Sequence, residues 1–270
     1  MLIQVLLVGL LGLVLGGVVN LLADDLPARR SPHFPPRYPD DTPRPPTAWL
    51  GITAFLFGKR SSPGDAKLSW RYPLTELLTA GLMIIALLSA LDDPNMTPLQ
   101  FIFWEIYMVI FALIIVIDIE HRLILFVVII PACVIAVIDA AVTNYGATAG
   151  DALIGGLLGF GVFFVLYLGG FAFTYVMSQV RGRKITEVAF GYGDVMLITF
   201  SGLILGWQPL LLAMFITVVL GALGAMIYLI SRSLIGSRYS MFTALPYGPY
   251  IVVGTLLMLL FATEITAILT

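Results

Sequence analysis

Carboxylates set inside long apolar stretches are the first residues of this sequence that could do chemistry. Glu76, Glu105, Asp118, Asp139 and Asp194 lie in such stretches or at their edges. An ionised group there costs free energy, so each is a candidate for function. Asp118 ends one stretch and Asp194 begins another. Asp194 also closes the tetrapeptide Gly191-Tyr192-Gly193-Asp194, whose glycines free the backbone from helical geometry and admit close approach by another segment. Two carboxylates sharing one proton can divide the work of peptide hydrolysis: the ionised one draws a proton from water while its protonated partner polarises the carbonyl. Nearness alone separates their pKa values, because like charges about 3 Å apart cannot both ionise readily, and such a pair titrates as a unit. No metal, covalent intermediate or organic cofactor is needed. Facing carboxylates could equally coordinate a cation or relay protons in a transporter, and that reading stays open at this point. Glu105 and Asp139 sit in no recognisable motif and are expected to be structural; Glu264 is expected to be interfacial.

The elements that must position these groups are membrane helices. Of 270 residues, 60% are hydrophobic and only 11% charged, too few polar groups to coat a water-soluble domain, which carries about a quarter charged residues. Apolar runs near the ~20 residues needed to cross a bilayer recur along the chain. The expected architecture is all-α and polytopic, with about eight transmembrane helices at 2–22, 74–91, 99–117, 124–143, 152–177, 194–207, 209–230 and 248–268 in a single domain over 1–270. The 14 Lys and Arg fall in alternate loops, whereas the other loops hold Asp92, Asp93 and Asp151. By the positive-inside rule the basic loops are cytoplasmic and both termini face outward. Asp118 and Asp194 then share one depth near the cytoplasmic interface. The first span lacks a basic n-region and a small-residue cleavage site, and is expected to be an anchor rather than a cleaved signal.

Nine of 16 prolines lie between Pro27 and Pro63, so the segment 24–72 is expected to be extended or irregular, a basic cytoplasmic tether beside anionic lipid heads. Gly12 with Gly16, and Gly155 with Gly159, are spaced for close helix packing. Cys133 is the only cysteine, which excludes an intrachain disulfide and a cysteine-based zinc site. No motif for nucleic acid or nucleotide is present.

Five strings, in order, carry a family resemblance: Gly17 and Asn20 with Leu26-Pro27, RYPLTELLTA from Arg71 to Ala80, VIDIEHRLI from Val116 to Ile124, GYGDVMLITFSGLILGW from Gly191 to Trp207, and LPYGPYIVVG from Leu245 to Gly254. Together they resemble the bacterial type IV prepilin peptidases, within the GxGD-type membrane aspartyl peptidases. The resemblance implies that Asp118 and Asp194 are catalytic, that Gly191 and Gly193 shape the backbone around them, and that Glu76 contacts substrate or shapes backbone. It implies a prepilin or pseudopilin substrate whose basic leader is cut at the cytoplasmic face of the plasma membrane, with membrane lipid as the other partner. Departures are Asp25 before Leu26-Pro27, Met196 in place of a lysine, and the absence of the four zinc-binding cysteines that many members carry in the first loop. The resemblance implies no cofactor for peptide cleavage, and S-adenosylmethionine as methyl donor if the methyltransferase activity of bifunctional members is retained. A non-catalytic assembly factor is the remaining alternative.

Overall fold

The computed structural model describes residues 1–143, 145–181, 191–234 and 246–269. Among them the chain forms ten α-helices and no β-strand: α1 (Leu2–Asp25), α2 (Gly51–Leu56), α3 (Arg71–Asp92), α4 (Pro98–His121), α5 (Phe126–Val142), α6 (Ala149–Arg181), α7 (Tyr192–Leu205), α8 (Trp207–Leu234), α9 (Gly248–Leu260) and α10 (Ala262–Leu269). Helices α1, α3, α4, α6 and α8 are long and apolar enough to cross a membrane, and α5, α7 and α9 are shorter apolar helices. The first seven expected spans each coincide with one of these helices, and the eighth begins with α9. The chain is a multi-pass membrane protein.

Two expectations need correction. The stretch 248–268 is not one helix: Phe261, at φ −135° and ψ 29°, separates α9 from α10. The segment 24–72 is not wholly irregular either, since it contains α2 and a 3₁₀ turn at Pro46–Ala48. Tyr38, Ala48, Ala54, Leu68 and Tyr72 give this segment a small apolar core of its own, closed by bridges pairing Arg37 with Pro43 and Ser61 with Lys67. The basic residues Arg183, Lys184 and Arg238 lie outside the described residues.

The chain divides into two compact units, Met1–His121 and Arg122–Thr270. In the first, α1 and α4 both pack on α3 and on each other. Gly12 and Gly16 bring α1 down onto α3: a Cβ at either would stand 2.5 Å from the Cα of Ala80 or Glu76. Small residues at this spacing let helix backbones approach where lipid supplies no hydrophobic drive.

In the second unit α7 is central and touches α5, α6, α8 and α9. Gly155 of α6 and Gly202 of α7 face each other so closely that a Cβ on either one would collide with the carbonyl oxygen of the other, and Gly159 meets the carbonyl of Ile198. With 14 residues and a rise of about 1.5 Å each, α7 spans roughly 21 Å, less than the ~30 Å hydrocarbon core. It stops at Gly206, whose φ of +74° turns the chain directly into α8 at Trp207.

Candidate active site

Asp194 is placed by the turn that opens α7. Gly191 precedes the helix in an extended conformation, φ −85° and ψ 151°. Its N–H donates to Asp194 Oδ2 at 3.0 Å, and the N–H of Asp194 donates back to the Gly191 carbonyl at 3.1 Å. This reciprocal pair occupies backbone groups that the first helical turn leaves unsatisfied, and the helix N-terminus favours a negative charge there. Asp194 is half-buried. Gly193 is required by a close approach, because a Cβ on it would stand 2.8 Å from the Cβ of Ile124.

Aromatic rings surround the turn. Tyr192 contacts Phe126 and Tyr167, with centroids 5.9 and 5.7 Å away. Tyr247, just before α9, lies over Gly221 of α8, where a Cβ would meet its ring at 2.6 Å. Burial pushes the Tyr247 phenol above its ordinary range, and the Asp194 charge adds to that shift. Tyr247 belongs to the Leu245–Gly254 string, but nothing about a lone tyrosine there marked it as a neighbour of Asp194. Leu245 itself lies outside the described residues.

Asp118 is buried, 4% exposed, in the last turn of α4 in the first unit. The same helix end is tied down by charge. Arg71 bridges Glu120 at 3.0 Å and also pairs with Asp24 at the end of α1. The Tyr72 hydroxyl donates to Asp24 at 3.1 Å. Arg44, buried, stacks on the Tyr72 ring at 4.4 Å and donates from Nε to the Arg37 carbonyl at 2.8 Å. Thus α1, α3 and α4 are joined at one end by a single polar network. Beside it opens a cleft of about 590 Å³, lined by Asn20, Asp25, His33, Arg37, Lys67 and His121 among others.

Glu76 is fully buried. Its carboxylate accepts the N–H groups of Gly51 at 2.5 Å and Ile52 at 2.8 Å and the Asn20 side-chain amide at 3.3 Å. Asn20 also donates to the Tyr72 carbonyl at 2.9 Å. The first two family-like strings therefore meet in one hydrogen-bonded knot that fixes backbone. Asp139 accepts the Thr143 hydroxyl at 2.8 Å. Both Glu105 oxygens are enclosed with no hydrogen-bond partner among the described residues.

The segment 24–72 holds no cysteine, so it lacks the thiolate donors that a cysteine-based zinc site requires.

Residues 105–226 match the family model of the type IV leader peptidase family. A prepilin leader peptidase/N-methyltransferase of Aeromonas salmonicida (strain A449) is 26% identical over 202 residues, which is 75% of this chain and 62% of the relative. Proteins of the same description from Dichelobacter nodosus and Stutzerimonas stutzeri are 29% and 26% identical, covering 91% and 93% of this chain and 74% and 77% of theirs. The chain thus spans less than two thirds of the Aeromonas relative's length. No solved structure matches it. The family match takes in both Asp118 and the GYGD turn, and relatives of one description align along most of the chain.

Proposed function

We propose that the protein is a membrane aspartyl endopeptidase that removes the basic leader from type IV prepilin-like or pseudopilin precursors, with Asp118 and Asp194 as its catalytic pair. The observation that carries this reading is the GYGD turn: Asp194 stands at a helix N-terminus with one oxygen held by the Gly191 N–H, in a chain whose relatives are named prepilin leader peptidases. A carboxylate so held keeps its orientation while water is activated, and correct orientation of a reacting group supplies a substantial part of the rate. One aspartate takes the proton of the attacking water, and the other, protonated, donates to the carbonyl oxygen. The proton then passes to the leaving amine and the pair returns to its shared-proton state. Gly191 and Gly193 shape the turn, and Glu76 shapes the backbone of the first unit. The site faces the cytoplasm from the inner membrane, where the basic loops lie by the positive-inside rule. Co-expression with a prepilin tests the proposal: leader loss on a gel, abolished by Asp118→Asn and by Asp194→Asn, is expected.

A second activity is suggested by the relatives' names, which include N-methyltransferase. S-adenosylmethionine would supply the methyl group. The 590 Å³ cleft has suitable size and mixed charge: Arg37 and Lys67 would meet a carboxylate, and Asp25 an ammonium. Mass spectrometry of the mature pilin amino terminus decides between one added methyl and none.

A further inference from the structure

Helix α2 starts against the ends of α1 and α3. The N–H groups of Gly51 and Ile52 are taken by Glu76, in the second turn of α3. A Cβ on Gly51 would meet the backbone of Tyr72 and Pro73 within 2.8 Å, and Leu50 fills the space over Gly17 of α1. Gly17 is about two turns short of the end of α1. The start of α2 is thus level with the polar ends of two apolar helices, and Gly51 is buried between them. There its free N–H groups need an internal acceptor, and Glu76 is that acceptor.

The far side of this element is uncovered. Leu56 is 76% exposed, Phe57 64% and Trp70 62%, and Trp70 immediately precedes α3. Phe55 packs on Trp70 with centroids 4.7 Å apart. Arg60 lies over both rings, at 4.8 and 6.0 Å, and its Nε donates to the Leu68 carbonyl. Neither Lys59 nor Arg60 has a carboxylate partner among the described residues. Apolar and aromatic side chains continuous with a span, edged by unpaired bases, are what the headgroup layer of a bilayer accommodates, and anionic headgroups complement the bases.

We propose that α2, Gly51–Leu56, is a re-entrant interfacial helix that, with the residues after it, seats Leu56, Phe57 and Trp70 at the headgroup–acyl boundary and holds Lys59 and Arg60 against the phosphates of anionic phospholipid. Glu76 then serves to cap a helix end inside the membrane interface.

The test uses the full chain in nanodiscs, in a Cys133→Ala background, with Phe57→Cys or Leu56→Cys carrying an environment-sensitive fluorophore. Emission should be blue-shifted, strongly quenched by nitroxide on the lipid headgroup or upper acyl chain, and poorly quenched by iodide. Replacing part of the phosphatidylcholine by phosphatidylglycerol should deepen both effects, and Lys59→Gln with Arg60→Gln should remove that dependence on phosphatidylglycerol alone. Water-like emission with full iodide quenching at both positions would overturn the re-entrant helix. An undiminished phosphatidylglycerol response in the double Gln variant would overturn the phosphate contact. None of these readouts depends on peptide cleavage.

Discussion

Gly193 and Ile124 stand so close that a Cβ added to the glycine would lie 2.8 Å from the Cβ of the isoleucine, nearer than unbonded carbons come. Gly193→Ala must therefore push apart Ile124 and the turn that presents Asp194. A displacement of about 1 Å at a reacting group can lower turnover about 10²-fold. Leader cleavage should fall by that order, with the protein still inserted, as immunoblot and cleavage assay of the same membranes would read.

Asp118→Asn and Asp194→Asn should each abolish cleavage while the protein accumulates normally. Asn at 194 can still accept the Gly191 N–H, so the turn survives, but it cannot share the proton. Asp194→Glu should also fail, because the added methylene moves the carboxylate. Asp139→Asn keeps an oxygen that can accept the Thr143 hydroxyl but puts an NH₂ in place of the other carboxylate oxygen, and should change accumulation more than turnover. Substantial cleavage by either Asn variant of the pair would falsify the aspartyl mechanism.

Glu76→Gln keeps the volume of the side chain but turns an amide NH₂ toward one of the two N–H groups of α2. Leaving a buried donor unsatisfied costs about 1–3 kcal/mol. A lowered unfolding temperature is expected, together with new proteolytic nicks between Leu50 and Phe57.

Acid should loosen the turns of the polar segment through Asp40. Hydrogen bonds from Ser62 and Thr42 hold its carboxyl below the usual aspartate range. A group depressed in the folded state stabilises above its unfolded value and loses that contribution as pH falls through the folded value. Hydrogen exchange at Ser62–Leu68, corrected for intrinsic rates, should rise relative to neutral pH once the pH drops below about 4. Asp40→Asn should be exchange-prone at both pH values.

Orientation is testable with single cysteines in the Cys133→Ala background. Exposed Ser61 should label only from the cytoplasm, and exposed Asn95 and Ala149 only from outside. Labelling of Ser61 from outside would invert the map.

The eight apolar helices were legible because long apolar runs have few alternatives to helix, and Asp118 and Asp194 drew attention because each stood in a short, unusual string. Other features depended on contacts between distant residues. The break at Phe261 lies in an apolar run with no proline or glycine at the corner, so hydropathy carried straight through it. Helix α2 was hidden by its flanking prolines, and its cap, Glu76, lies 25 positions from Gly51. Tyr247 approaches Asp194 only because α9 and α7 pack together.

The backbone contact between Gly155 and Gly202 has a mechanical consequence. Where two helices meet through carbonyls and bare α-carbons, no side chain can bend to absorb a slip. Translating α7 along α6 by one residue would drive a Cβ into a space that holds only hydrogen. Helix α7 is therefore geared to α6 at a fixed tooth, and any stroke that carries Asp194 must move both helices together as one lever.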